Sequence, residues 1–173
     1  MAIEYRSDSV TSTHEEEAHP STAAIAGHPL HPSVVPVPIG MLTAAAASDV
    51  AHLLTGQAFF ARMSRWLIGG GLLGGVMAAM LGAIDFGTIR AARGPVGVAH
   101  AGGNTTILVL SAISFMLRRG SSTRVPAAAM LLSAIGAVML AVTGWLGGEL
   151  SYRKRIGVVR NGTDGASSLP PLP

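Results

Sequence analysis

Four apolar runs, separated by short connections rich in arginine and glycine, constrain this chain more than any other feature. They cover about Pro38–Leu54, Trp66–Ile89, Val96–Leu117 and Pro126–Leu150. A hydrocarbon core of ~30 Å takes ~20 helical residues to cross. Lipid offers the backbone no hydrogen bonds, so each run is expected to form a helix rather than an open strand. The connections 56–65, 90–95 and 118–125 are short, which forces neighbouring helices antiparallel. The expected fold is therefore all-α: an integral membrane antiparallel four-helix bundle.

Composition agrees. Mean hydropathy is +0.48 and charged residues make up 12% of the chain, against ~25% in soluble domains. A soluble bundle would need amphipathic surface helices, and these runs are too long and too evenly apolar. There is no cysteine, which excludes disulfides, thiolate metal sites and thiol catalysis. The basic residues flank the apolar runs, as in membrane proteins, so the basic pI implies a lipid bilayer as partner and no nucleic acid. Met1–Ser21 is polar and carries Glu15-Glu16-Glu17. This does not read as a cleavable signal peptide, so insertion is expected to rely on the first apolar run.

Residues 1–26 read as a disordered N-terminal tail, 27–159 as the transmembrane domain and 160–173 as a disordered C-terminal tail. Pro29, Pro32, Pro36 and Pro38 suggest an extended or turn-like segment along the membrane surface before the first helix. The second run carries Gly70/Gly74 and Gly71/Gly75 pairs, continued by Ala78 and Gly82. Such spacing permits close helix approach inside the bundle, a dimer contact, or room for a flat cofactor. Arginines and lysine are divided almost evenly between the two ends. The positive-inside rule gives a slight preference for both termini in the cytoplasm.

Alternating helices sort the polar groups. His28 and His31 precede the first helix, Asp85 closes the second, His100 opens the third with Asn104 one turn on, and Glu149 closes the fourth. All six fall at the end of the bundle that bears the termini. Asp49, His52, Arg62 and Arg65 fall at the opposite end, where Asp49 is expected to pair with Arg62 or Arg65. His14 and His19 lie in the expected tail and are read as solvated. Ionisable groups at a membrane are costly and so are functional candidates. Imidazole ligates haem iron and also Zn, Cu and non-haem Fe. No G-x-S-x-G, H-E-x-x-H or phosphate-loop pattern is present.

These residues lie in a recognisable order. Gly27-His28-Pro29-Leu30-His31-Pro32, Val35-Pro36-Val37-Pro38-Ile39-Gly40, Asp49, Gly82-Ala83-Ile84-Asp85-Phe86, Ala99-His100 with Asn104, and Thr143-Gly144-Trp145 through Glu149 to Arg153 together resemble the bacterial DUF2231 family of four-helix membrane proteins. The resemblance covers about residues 27–159. It implies a bacterial integral membrane protein whose function is unassigned, with relatives joined to, or encoded near, redox modules such as Rieske-type domains. Many relatives carry a further His where this chain has Lys154-Arg155, and some carry one where it has Pro36.

The leading expectation is a His-ligated electron-transfer component, with b-type haem as cofactor and a divalent transition metal as the alternative. His100 would be one axial ligand and His28 or His31 the other. The metal version would use His28, His31 and His100. Asp85, Asn104 and Glu149 would orient the imidazoles or handle charge. The partner would be a redox or respiratory membrane protein. The rival expectations are a non-catalytic accessory subunit of a larger energy-transducing complex, and a metal or proton carrier built on Asp85, His100 and Glu149. No enzymatic activity is singled out, and no catalytic residue.

Overall fold

A computed structural model describes residues 18–120 and 123–158. The described chain is an antiparallel bundle of four long helices: α2 (Pro36–Thr55), α3 (Ala58–Thr88), α4 (Pro95–Leu117) and α5 (Ala127–Gly148). A short helix α1 (Leu30–Val34) precedes α2, a 3-10 turn (Arg90–Arg93) joins α3 to α4, and a π-helical turn (Glu149–Arg153) ends α5. With α1 and the π turn included, four segments are long and apolar enough to cross a membrane. This agrees with the four-helix bundle expected from the sequence.

Helix ends follow local chemistry. Pro36 and Pro95 occupy first helical positions, where a missing N–H costs nothing and the fixed φ is already helical. Gly56 closes α2 at φ 67°, a left-handed backbone that glycine adopts without penalty. Helix α3 starts at Ala58, well before the boundary expected near Trp66. Arg62 and Arg65 are good helix formers and extend the helix rather than marking a loop. The proline-rich stretch, expected to be extended or turn-like, is so only as far as Pro29 and is helical from Leu30. Pro32 sits in the first turn of α1, where its lost donor would be unpaired in any case, so Leu30–Val34 is helical.

The bundle consists of two helix hairpins, α2–α3 and α4–α5, packed along a seam. Leu42, Ile107 and Leu140 meet in the core, with Met139 against them. The glycine stripe of α3 serves this packing. A Cβ added at Gly71 would lie 2.7 Å from Leu42 Cδ2, and one at Gly75 would lie 2.6 Å from Leu108 Cδ2. Leu73, Val76, Met77 and Met80 on α3, and Leu131, Val138 and Val142 on α5, face outward as a lipid-facing band. Trp66, Trp145 and Tyr152 are also exposed, as interfacial aromatics are.

The expected N-terminal tail divides in two. Residues 1–17 lie outside the described residues, whereas residues 18–29 form an ordered strap across the terminus-bearing end. Two short strands, β1 (Ala24–Ile25) and β2 (His28–Pro29), pair antiparallel around Ala26 and Gly27, both with positive φ. His19 N–H donates to Arg155 O at 3.0 Å, and Gly157 N–H donates to His19 O at 2.7 Å, tying the strap to the segment after α5. The sequence places His19 in a solvated tail. Its backbone is instead paired, because Asp85 and the C-terminal segment supply the acceptors and donors the strap requires. The expected tail 160–173 lies outside the described residues.

Candidate functional site

At the terminus-bearing end, His31 and His100 face each other across the seam with ring centroids 6.4 Å apart and planes at 84°. His31 comes from α1 and leans on α3: its Nδ1 is 2.8 Å from Ala78 O. His100 comes from α4 and leans on α5: its Nδ1 is 2.9 Å from Thr143 O. A carbonyl only accepts, so each Nδ1 carries a proton, and a ring without a second proton keeps a lone pair on Nε2. Both rings are seated over glycines. A Cβ at Gly82 would stand 2.9 Å from His31 Cε1, and one at Gly147 would stand 3.1 Å from His100 Cε1. No other residue type leaves that space beside the helix backbone.

Asn104 stays beside His100, one turn along α4. Its amide donates to His100 O at 2.8 Å, and its nitrogen lies 3.4 Å from His100 Nε2. His28 is exposed in β2 of the strap. Among the described residues, no three His, Asp or Glu side chains converge into a group that could hold a metal.

The carboxylates of this end face other partners. Asp85 accepts from Ser21 Oγ at 2.7 Å, Thr22 N–H at 2.9 Å and Ala23 N–H at 3.1 Å. Asp85 is thus the anchor of the strap. Glu149, half-buried, pairs at 3.3 Å with Arg153, one helical turn away and largely in solvent. Such a pair contributes little. Arg93 closes α3 by donating to Phe86 O at 3.1 Å and to Gly87 O.

The opposite end holds a second site that the sequence did not reveal. Asp49 pairs with Arg118 rather than with Arg62 or Arg65, and both residues are almost wholly buried. Arg118 Nη1 and Nη2 each donate to Asp49 at 2.7 Å in a two-pronged contact. Ser64 Oγ donates to Asp49 at 2.5 Å. Arg118 also donates to Ser133 Oγ at 2.8 Å and Ala129 O at 3.2 Å. Arg62 is exposed on α3. The correction has a physical cause: Arg118 leaves the end of α4 facing the bundle axis, and its planar fork fits a carboxylate within a ring of serines. As the first residue of the 118–125 connection, Arg118 looks in sequence like any other loop charge. Ser114 and Ser133, polar residues inside apolar runs, were the available signal.

The family model of DUF2231, described as a predicted membrane protein, matches residues 27–160. The chain belongs to the DUF2231 family. That match contains His28, His31, Asp49, Asp85, His100, Arg118 and Glu149, so both polar sites of this DUF2231 protein lie within the shared region. No curated protein and no solved structure matches the chain.

Proposed function

We propose that this DUF2231 protein carries a redox centre between His31 and His100, with b-type haem as the cofactor, and serves electron transfer rather than substrate turnover. The observation carrying this reading is the pair of imidazoles from opposite hairpins, each with Nδ1 on a main-chain carbonyl. Holding the remote ring N–H in this way is what ligating histidines need to fix their tautomer and orientation. The 6.4 Å ring spacing also supports it. A metal with ~2.0 Å bonds to two imidazole nitrogens would set ring centroids ~6 Å apart.

His31 and His100 are the residues that would hold a haem iron, for which imidazole nitrogens are suitable donors. A tetrahedral metal calls for more protein donors. When bound, such a haem supplies a reversible one-electron couple. The chain's own residues hold the two imidazoles, set their tautomers through Ala78 and Thr143, and flank His100 with Asn104. Asp85 ties down the strap that leads into His31. A redox partner would dock at this end, and we place it on the cytoplasmic side of a bacterial inner membrane. The test is the optical spectrum of protein purified after haem-replete expression. A Soret band at one haem per chain is expected, lost in His31→Ala and in His100→Ala. Colourless wild-type protein would overturn the haem reading.

A further inference from the structure

The two hairpins share one register at the positions that build the two polar sites and the seam. His31 and Asp49 stand eighteen positions apart in the first, and His100 and Arg118 stand eighteen apart in the second. His31 bonds the carbonyl of Ala78, 47 positions on, and His100 bonds that of Thr143, 43 positions on. At the other end, Asp49 contacts Ser64, 15 positions on, and Arg118 contacts Ala129, 11 positions on. Both comparisons show the same four-residue shortening at the turn of the second hairpin.

Burial follows the same register. Pro38, Leu42, Ala45 and Asp49 on α2 correspond to Ile107, Ser111, Ser114 and Arg118 of the second hairpin, and all eight are buried. Ser64, Gly71, Gly75 and Ala78 on α3 correspond to Ala129, Gly136, Leu140 and Thr143 on α5, and again all are buried. The outward positions Leu73, Met77 and Met80 correspond to Val138, Val142 and Trp145, all exposed. Gly82 under His31 corresponds to Gly147 under His100.

We infer that the bundle is one helix hairpin used twice, related by a pseudo-two-fold axis along its length, and that Asp49–Arg118 is the lock that makes the two hairpins pair with each other rather than each with its own kind. Chain direction supports the axis: both hairpins start at the terminus-bearing end, turn at the other and return. Two contacts lie across the axis. At one end are two identical side chains, His31 and His100. At the other are two opposite charges. A like-with-like pairing of hairpins would bury two carboxylates or two guanidiniums, which is far more costly than burying an ion pair. Opposite charges at equivalent positions therefore select the mixed pairing, as charged positions select partners in coiled coils. The inference holds whatever the histidine pair binds.

Charge reversal in the full chain tests the lock. Asp49→Arg and Arg118→Asp, each alone, are expected to lower the yield of folded monodisperse protein at least ~tenfold, since each buries like charges. The double reversal restores the opposite pair with its sign exchanged and is expected to recover most of that yield. A double variant no better than the worse single variant would overturn the lock. The symmetry has its own test, which leaves the core untouched. Spin labels on Ala47→Cys with Val138→Cys, and on Met116→Cys with Leu73→Cys, form equivalent pairs across the axis. Pulsed EPR should give the same distance for both. Distances differing by more than one helical turn, about 5.4 Å, would overturn the pseudo-two-fold.

Discussion

Arg118 spans the seam between the hairpins to grip both carboxylate oxygens of Asp49, at 2.7 Å on each side. Neither residue has appreciable contact with solvent, and serines from α3, α4 and α5 complete their hydrogen bonds. Removing one partner leaves the other charge buried and unpaired, which costs ~3–5 kcal/mol. Arg118→Leu should lose that much stability in a denaturant titration in detergent. Arg118→Lys should fall in between, because a point charge cannot reproduce the fork. Asp49→Leu with Arg118→Leu should regain most of the loss, since apolar replacement of a whole buried pair is often neutral. A single Arg118→Leu variant as stable as wild type would show that the pair does not join the hairpins.

The glycines beneath the imidazoles make a second, paired prediction. Gly82→Ala and Gly147→Ala each place a methyl within 2.9–3.1 Å of a histidine Cε1. The ring must move, and overpacking of this kind costs ~1–3 kcal/mol. The Nδ1 bonds to Ala78 O and Thr143 O should lengthen, read as a shift of the imidazole nitrogen resonances in NMR. Gly144→Ala meets open space and serves as the control. It should be neutral or slightly stabilising, since alanine is the better helix former by ~1 kcal/mol. Equal responses at Gly144 and Gly147 would contradict the seating of His100.

Asp85 should act locally. Asp85→Ala removes the acceptor for Ser21, Thr22 and Ala23 while leaving the long helices their own contacts. Amide exchange at Thr22 and Ala23 should accelerate, and limited proteolysis should reach residues 18–29. The cores of α3, α4 and α5 should keep their protection, because local opening and global unfolding are separate equilibria. Faster exchange throughout the bundle would show that Asp85 supports more than the strap.

Much of the architecture was legible in the sequence because apolar length is a physical requirement of crossing lipid. The alternation of helices then brought His31, His100 and Asn104 to one end without any contact information. The Asp49 partner was hidden, because charge in a connection looks the same whether it faces water or the bundle axis. Only side-chain direction separates Arg118 from Arg119, which is exposed over the Phe115 ring. The strap was hidden for a related reason. Its residues bury little apolar surface, and their order rests on one distant acceptor, Asp85, that local composition does not announce. The hairpin repeat was hidden because equivalent positions keep burial rather than identity or size, as Leu42 and Ser111 or Gly75 and Leu140 show.

The proposed redox centre requires His31 and His100 together. The most direct measurement is the absorption spectrum of detergent-purified protein, with its low-temperature EPR, compared with His31→Ala and His100→Ala. One low-spin haem per chain is expected in the wild type, its signature lost or converted in each variant to the same extent. A wild-type spectrum without a Soret band, or one unchanged by either substitution, would contradict it.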